Sequence, residues 1–304
     1  MKSYQKIHAI HKPEVAGILD GHINIEEKID GSQFRIEISK EGIKCGSHHL
    51  ELGDDSMFRL GTDNAKAIFK DTESANGETI TVFGEYLSKP KQNQIPYAKV
   101  PKHNIMIFDV TMGDRYLDRE EKERFAFLHD LEVVPLLWRG HGSEFTDEVR
   151  EKLLKKESIL GHQPGFDRIE GIVIKNYDKM FNVAEGHSLY GHFMCTKIVN
   201  NEFKETKSIK NPKGDKLDTL KESVCSEARW NKALQHLTES GELINDMKDI
   251  GLLTRRVMTD LEEEEKETIK DQLYKIYGKE ILKASVSGLS TWYVGKLESN
   301  EKNS

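Results

Sequence analysis

The sequence predicts a mixed α+β fold: a domain built on a mostly antiparallel sheet, followed by a small all-helical domain. Two observations support this prediction. Up to about residue 200 the apolar segments are short and strand-like, with only a few helical segments between them. After Asn211-Pro212-Lys213-Gly214, glycine and β-branched residues become rarer and long stretches take the helical period. We therefore expect domains at 1–208 and 217–304, joined by a linker at 209–216.

The first strands are predicted on either side of Lys28. Segments 22–27 and 33–38 alternate apolar and polar side chains, which is the period of a half-buried strand. Asp30-Gly31 between them is a turn signal. Lys28 is therefore expected on rigid backbone at a strand end.

The remaining elements follow from the same patterns. Further strands are predicted at 80–87, 104–110, 168–175 and 192–199. Helical spacing occurs at 117–131 and 143–158, with Asp118 and Ser143 as N-caps. The helical domain is expected to contain helices at 217–237, 243–261 and 269–283.

Composition narrows the class of protein. Of the 304 residues, 37% are hydrophobic and 32% are charged, and no apolar run reaches the ~20 residues of a membrane helix. We therefore expect an intracellular, cytoplasmic protein that does not bind membranes. The three cysteines have no metal-ligand spacing, which argues against a zinc site.

Charge is unevenly distributed. The formal net charge of -7 argues at first against a nucleic-acid partner. Segment 204–216, however, carries a lysine at every third position, so a local basic strip exists within an acidic total. Taken alone, this stretch fits a solvated linker better.

Charged and aromatic residues recur in the predicted strands. A lysine such as Lys28 is a nucleophile only when neutral, and its reference pKa is ~10.4, so cations or burial would have to lower that value. The four later strand segments also carry charged or aromatic residues that a purely structural strand does not need. In segment 80–87 a carboxylate follows Phe-Gly, and in segment 104–110 an aromatic residue and an acid end an apolar run. Segment 168–175 has a charge at each end of its apolar run, and segment 192–199 has a lysine inside it. The residues are Glu85, Phe108, Asp109, Glu170, Lys175 and Lys197. Each also has a structural interpretation as a strand-end charge, core aromatic or snorkelling side chain, and Lys28 could be an exposed hairpin lysine.

Taken together and in order, the segments KIDG, FGEY, IFDV, EGIVIK and TKIVN resemble motifs I, III, IIIa, IV and V of the covalent nucleotidyltransferase superfamily. This superfamily contains ATP-dependent RNA and DNA ligases and mRNA capping enzymes. The continuation after Lys197, the Pro135-Leu136-Leu137 segment and the helical tail resemble the phage RNA ligase 2 family. The resemblance spans roughly the first 205 residues, and the chain is also compatible with a phage-encoded protein. DNA ligases and capping enzymes carry an OB domain after motif V, which the helical tail disfavours.

The resemblance implies a reaction and its cofactors. Lys28 would attack the α-phosphorus of ATP to form lysyl-AMP, AMP would pass to an RNA 5′-phosphate, and a 3′-hydroxyl would displace AMP to seal the strand. Magnesium, or manganese, would be held by Glu170, a hard oxygen donor. The partner would be RNA with 3′-hydroxyl and 5′-phosphate ends, nicked or duplex, and the protein is expected to be a monomer.

The resemblance also implies roles for individual residues. Lys197 and Lys175 would place cations near the α-phosphate and help keep Lys28 neutral. Phe108 would stack on adenine, and Glu85 would accept a hydrogen bond from the ribose. The ATP-binding set would be completed by Glu27, Ile29, Asp30 and Gly31.

Two positions depart from the family pattern. Motif V of the phage enzyme carries two lysines one residue apart, whereas the second position here is Val199; an alternative register places Cys195 and Lys197 at the two positions. The family arginine on the strand after motif I has no match, and His48 is the nearest candidate for binding the RNA 5′-phosphate. Lys207, Lys210 and Lys213 of the linker are further candidates for RNA contact.

Two alternative functions remain open from sequence. One is a polynucleotide ligase that seals DNA or mixed RNA/DNA nicks, because contacts to the 2′-hydroxyl are not visible in sequence. The other is a nucleotide-binding or RNA-binding relative that has lost turnover. Lys28, Glu170 and Lys197 argue against the latter, since a pure binder has no need of a reactive lysine.

Overall fold

The computed structural model describes residues 1–48, 50–53, 56–72, 77–203 and 215–301. The chain divides into two compact units, Met1–Lys204 with Gln235–Glu242, and Glu205–Leu234 with Leu243–Ser304. The first unit is α+β and contains two largely antiparallel sheets, and the C-terminal region is helical. The predicted fold class is therefore confirmed.

One sheet of five strands has the order β1-β11-β10-β2-β9, in which only the β1–β11 pair is parallel. Its strands are β1 (His8–Ala9), β2 (His22–Lys28), β9 (Leu136–His141), β10 (Gly171–Met180) and β11 (Phe193–Val199). The apolar side chains of β2 and β10 pack against α3 (Asp147–Leu154) in one hydrophobic cluster. The other face of β2 carries polar residues, because side chains alternate along a strand.

A second sheet has the order β4-β3-β5-β6-β7, with β8 added in parallel to β6. Its strands are β3 (Ser32–Ser39), β4 (Gly42–Gly46), β5 (Ile80–Tyr86), β6 (Ile105–Met112), β7 (Arg115–Tyr116) and β8 (Glu132–Val133). Helices α1 (Arg59–Phe69) and α2 (Arg119–Leu128) contribute buried side chains to its core. Strands β2 and β3, which flank Asp30-Gly31, thus lie in different sheets and do not form a hairpin.

Several sequence-based boundaries differ from the structure for identifiable reasons. Asp118 caps α2 as predicted and forms a capping box with Glu121. The next helix begins later than predicted, because Thr146 rather than Ser143 is its N-cap and residues 142–144 form a 3₁₀ turn. Helix α1 was missed.

The helices of the C-terminal region are α4 (Lys216–Val224), α5 (Glu227–Glu239), α6 (Asp249–Ser285) and α7 (Leu289–Glu301). The predicted helix at 217–237 is two helices, and those at 243–261 and 269–283 are one. The glutamates at 262–265 are good helix formers and do not interrupt α6. Within the second unit, the buried Arg229 donates to Asp260 at 2.6 Å, which ties α5 to α6. Across the described residues, no helix has the length and apolarity needed to cross a membrane.

Candidate active site

Lys28 lies at the end of β2, opposite the start of β10. Lys28 pairs with Gly171, and Gly171 in turn pairs with Val199 on β11. Lys197 pairs with Val173 two residues further along β10. Since residues two apart share a face, this register brings Lys28 and Lys197 to the same region of the sheet.

The nucleophile candidate forms an ion pair. Lys28 Nζ donates to Glu170 Oε2 at 2.7 Å, with the two side chains 25% and 13% exposed. Burial lowers the pKa of Lys28, but the carboxylates of Glu170, Glu85 and Asp30 together raise it above its usual value. The groups that surround Lys28 therefore favour its charged form, whereas the sequence predicted that neighbouring cations keep it neutral.

The carboxylates beside Lys28 are held at unusually high pKa. Burial raises the pKa of Glu170 to about 7, against the lowering effect of Lys28. Burial likewise raises the pKa of Glu85 to about 8, and Glu170 adds to this by like-charge repulsion. Glu170 is thus a partly exposed hard oxygen donor whose negative charge is incompletely compensated, and such a donor fits a divalent cation. No cluster of three or more metal-binding side chains occurs among the described residues, so phosphate oxygens or water would have to complete the coordination.

The turn after Lys28 is fixed by its neighbours. Asp30 is buried, and its Oδ2 accepts from the backbone N–H groups of Gln94 and Ile95 at 2.7 and 2.8 Å. Its own N–H donates to Tyr97 Oη at 2.7 Å. The Asp30 carboxylate thus holds the 94–95 backbone, whereas the sequence suggested that it flanks the nucleotide.

Gly31 is required by close packing. A Cβ there would lie 2.7 Å from the carbonyl oxygen of Tyr86 and 2.8 Å from Glu85 Cγ. The Gly31 N–H donates to Glu85 Oε1 at 3.1 Å, which leaves Glu85 beside the turn. Ile29 is buried in the apolar cluster that also contains Tyr97.

Glu27 points to the opposite face from Lys28 and is 2% exposed. Its Oε2 accepts from the N–H of Ile159 at 3.2 Å, while its Oε1 is buried with no hydrogen-bond partner. Burial raises the pKa of this carboxyl to about 7, although Ser158 and the Ile159 N–H lower it. The sequence placed Glu27 beside the nucleotide, and the structure places it behind the nucleophile strand.

Phe108 occupies an irregular position in β6. Phe83 pairs with Asp109 and Gly84 pairs with Ile107, so Phe108 is the extra residue of a bulge. Bulges re-aim side chains and recur beside active sites. The half-buried ring lies 4.9 Å from the ring of Tyr4 and 5.8 Å below Lys175 Nζ.

Lys175 does not present a free cation to the site. Its Nζ lies 2.7 Å from Glu26 Oε2 and donates to Asp109 Oδ2 at 2.8 Å and to the Phe108 carbonyl at 2.7 Å. Burial opposes the charged form, but these two carboxylates raise the pKa of Lys175 well above its usual value. The charge of Lys175 is thus already bound by two carboxylates, and its place at the α-phosphate stays a prediction.

The predicted RNA-binding residues are only partly described. His48 Nδ1 lies 2.6 Å from Oε1 of Gln33. Gln33 is part of β3, the strand that follows the Asp30-Gly31 turn. Lys207, Lys210 and Lys213 lie outside the described residues. Val199 follows Lys197 on the same face, as the motif spacing indicated, so the second lysine position of motif V carries a methyl-bearing side chain here.

Sequence reasoning missed the buried charges behind Phe108. The missed residues are Glu26, Arg119 and Lys122, whereas Asp109 was singled out as the acid that ends an apolar run. One signal was available: His22, Asn24, Glu26 and Lys28 occupy every second position of β2, so a whole face of the strand is polar. Val173 was also missed; it lies between Lys175 and Gly171 on that face of β10.

Comparisons with known proteins identify a family and a similar fold. The family model described as RNA ligase matches residues 21–189. No curated protein matches the sequence. A structure of the Naegleria gruberi RNA ligase with PPi has a similar fold, with a TM-score of 0.50 and 17% identity over 67% of this chain and 57% of the other. A mutant of that ligase with ATP and Mn gives a TM-score of 0.49 and 18% identity, over 67% and 56%. The chain thus spans a little over half the length of these structures.

Proposed function

Because the chain belongs to the RNA ligase family, we propose that it is an ATP-dependent enzyme that joins RNA 3′-hydroxyl and 5′-phosphate ends through lysyl-AMP. One observation carries this proposal: Lys28 lies 2.7 Å from Glu170 at the open end of two paired strands. The membership covers more than half the sequence, and the phage RNA ligase 2 resemblance stays a prediction within it.

Lys28 is the proposed nucleophile. Its unprotonated Nζ would form a bond to the α-phosphorus of ATP, while the bond to the β-phosphate breaks and pyrophosphate leaves. The ion pair with Glu170 keeps Lys28 charged in the free protein, so the proton must be lost before attack. A divalent cation held by Glu170, magnesium or manganese, would supply positive charge at the phosphates and compete with Lys28 for the carboxylate.

Lys197 is the proposed cation for the α-phosphate. Lys197 lies on β11, on the same strand face as Val199, and β11 pairs with the part of β10 that also pairs with Lys28. The positive charge of Lys197 lowers the pKa of Glu170. Electrostatic stabilisation by fixed cations is the main protein contribution to phosphoryl transfer. Because Val199 leaves the neighbouring position without a charge, Lys197 would act there without a second motif V lysine.

Phe108 and Val173 are the proposed walls of the base pocket. Lys175 Nζ lies 5.8 Å from the Phe108 ring, and Val173 is two residues away on the same strand face. Phe108 projects from the facing sheet at its bulge, so the two side chains can enclose a flat base. Glu85, held by the Gly31 N–H, would accept from the ribose.

A strand-joining assay tests this proposal. Purified protein, ATP and magnesium are incubated with a 5′-labelled nicked RNA duplex, and products are separated on a denaturing gel. Joined strands from the wild type and none from Lys28→Ala would support an RNA ligase. Sealing only when the 3′-hydroxyl strand is DNA would favour the polynucleotide ligase alternative, and no joined or adenylylated strand with any duplex would favour a binding protein.

A further inference from the structure

Five charged groups are buried together directly behind Phe108. Glu26, Asp109, Arg119, Lys122 and Lys175 are each no more than 5% exposed. Lys122 comes from α2 and from none of the five motif segments. Its Nζ donates to Glu26 Oε1 at 2.8 Å and lies 3.7 Å from Asp109 Oδ1. Tyr177 Oη donates to Asp109 Oδ1 at 2.8 Å, and Tyr4 Oη donates to Asp109 Oδ2.

The two lysines converge on one backbone atom. Lys122 Nζ donates to the Phe108 carbonyl at 2.6 Å, and Lys175 Nζ donates to the same carbonyl at 2.7 Å. That carbonyl belongs to the bulge residue, which does not take part in the regular β5–β6 register. The two ammonium groups therefore hold the peptide plane that follows the Cα of Phe108, the atom from which the ring projects.

Lys122 is not needed to neutralise the buried acids. Lys175 and Arg119 already bring two positive charges to the two carboxylates of Glu26 and Asp109. Lys122 adds a third buried cation. Burial and the nearby charge of Lys175 lower the pKa of Lys122 to about 8, although Glu26 and Asp109 act to raise it. The half-exposed Glu123 accepts from Arg119 Nε at 2.6 Å, so Lys122 belongs to a network of three cations and three acids.

We propose that Lys122 is a positioning residue for the nucleotide base: it fixes the bulge carbonyl so that the Phe108 ring stacks on a purine. This rests on the proposed function for the identity of the ligand. The inference adds a helix α2 residue, outside the motifs, to the determinants of base selectivity. Phe108 makes the contact, and Lys122 acts through it.

The test measures binding without chemistry. The dissociation constants of α,β-methylene-ATP and α,β-methylene-UTP, which cannot transfer the nucleotide, are determined by calorimetry for the wild type, Lys122→Met and Lys122→Arg. Lys122→Met removes the donor but leaves two cations facing two acids, and Lys122→Arg retains a donor. Arg124→Met, an exposed residue on the same helix, is the matched control.

We expect Lys122→Met to weaken binding of the adenine analogue by about tenfold, since part of the stacking of the base on the Phe108 ring is lost. Binding of the uracil analogue should change by less than about threefold, so the purine preference falls. Lys122→Arg should recover part of the preference, and Arg124→Met should retain all of it.

An unchanged ratio of the two dissociation constants in folded Lys122→Met would overturn the inference and leave Lys122 a structural residue. If Lys122→Met does not fold, Lys122→Leu, which is shorter and also lacks a donor, is measured the same way, and an unchanged ratio there has the same meaning. The binding assay does not depend on lysyl-AMP formation. A wild type that binds the adenine analogue selectively but never forms lysyl-AMP would contradict the proposed function while leaving the inference standing.

Discussion

From the ion pair between Lys28 and Glu170 we predict that Glu170→Gln makes Lys28 more often neutral and yet slows lysyl-AMP formation. In Glu170→Gln, the pKa of Lys28 should fall by about one to three pH units, because an opposite charge within hydrogen-bond distance shifts a pKa by about that much. Lys28 Nζ and Glu170 Oε2 are 2.7 Å apart and mostly shielded from solvent, so the upper half of this range applies. With the largest raising effect removed, burial then brings the pKa of Lys28 below its ordinary value.

Although Lys28 is more often neutral in Glu170→Gln, this variant should form lysyl-AMP more slowly than the wild type. Loss of the Glu170 carboxylate removes the proposed cation site, and removing one group that stabilises developing charge costs on the order of 100-fold in rate. The pKa is measured from the pH dependence of acetylation of Lys28 by acetic anhydride, followed by peptide mass spectrometry. Lysyl-AMP formation is measured in parallel with labelled ATP.

The matched control is Glu202→Gln, which removes an exposed carboxylate paired with Arg168. It should change neither quantity. An unaltered or higher Lys28 pKa in Glu170→Gln would refute the electrostatic account of the site. A faster rate of lysyl-AMP formation would show that Glu170 only restrains the nucleophile.

Three further predictions follow from the site. Gly171→Ala should lower the free energy of unfolding by about 1–3 kcal/mol in a denaturant titration, because its Cβ would lie 2.3 Å from the Ile198 carbonyl oxygen. Tyr97→Phe should cost about 1–3 kcal/mol in the same measurement, since the buried Asp30 N–H loses its acceptor. The magnesium concentration for half-maximal lysyl-AMP formation should fall about tenfold from pH 6 to pH 8, because a proton competes for Glu170, whose pKa is about 7.

Each of these has a control and a contradicting result. Gly53→Ala should be nearly neutral, since a Cβ there meets nothing within 4 Å. A Gly171→Ala protein as stable as the wild type would mean that β10 and β11 can separate at this point. Equal stability of Tyr97→Phe would show that water replaces the hydroxyl. A half-maximal magnesium concentration that is constant with pH would exclude Glu170 as the titrating ligand.

Local patterns in the sequence were sufficient for the strands that carry Lys28 and Lys197 and for the strand that Glu170 directly precedes. The alternation of apolar and polar residues predicted the strands near these three residues, and the order of the motifs predicted that the residues belong to one site. What local patterns do not contain is register across strands. The pairing of Lys28 with Gly171, which creates the contact with Glu170, joins residues 143 positions apart.

The position of Lys175 shows the same limit. Residues two apart on a strand share a face, so Lys175 lies with Val173, yet burial depth along that face depends on Glu26 and Asp109, which lie on other strands. The bulge at Phe108 is likewise a property of the β5–β6 pairing and leaves no pattern in β6 alone. The C-terminal helices were divided wrongly because apolar periodicity weakens in the middle of α6, while its glutamates sustain the helix by propensity.

The central claim is that Lys28 forms a covalent bond to AMP. The most direct measurement is incubation of the purified, folded protein with α-labelled ATP and magnesium, followed by denaturation and detection of label on the polypeptide. We predict label on the wild type, removed by acid as expected for a phosphoramide, and none on Lys28→Ala. Label on neither protein, with the wild type shown to be free of bound AMP beforehand, would contradict the claim.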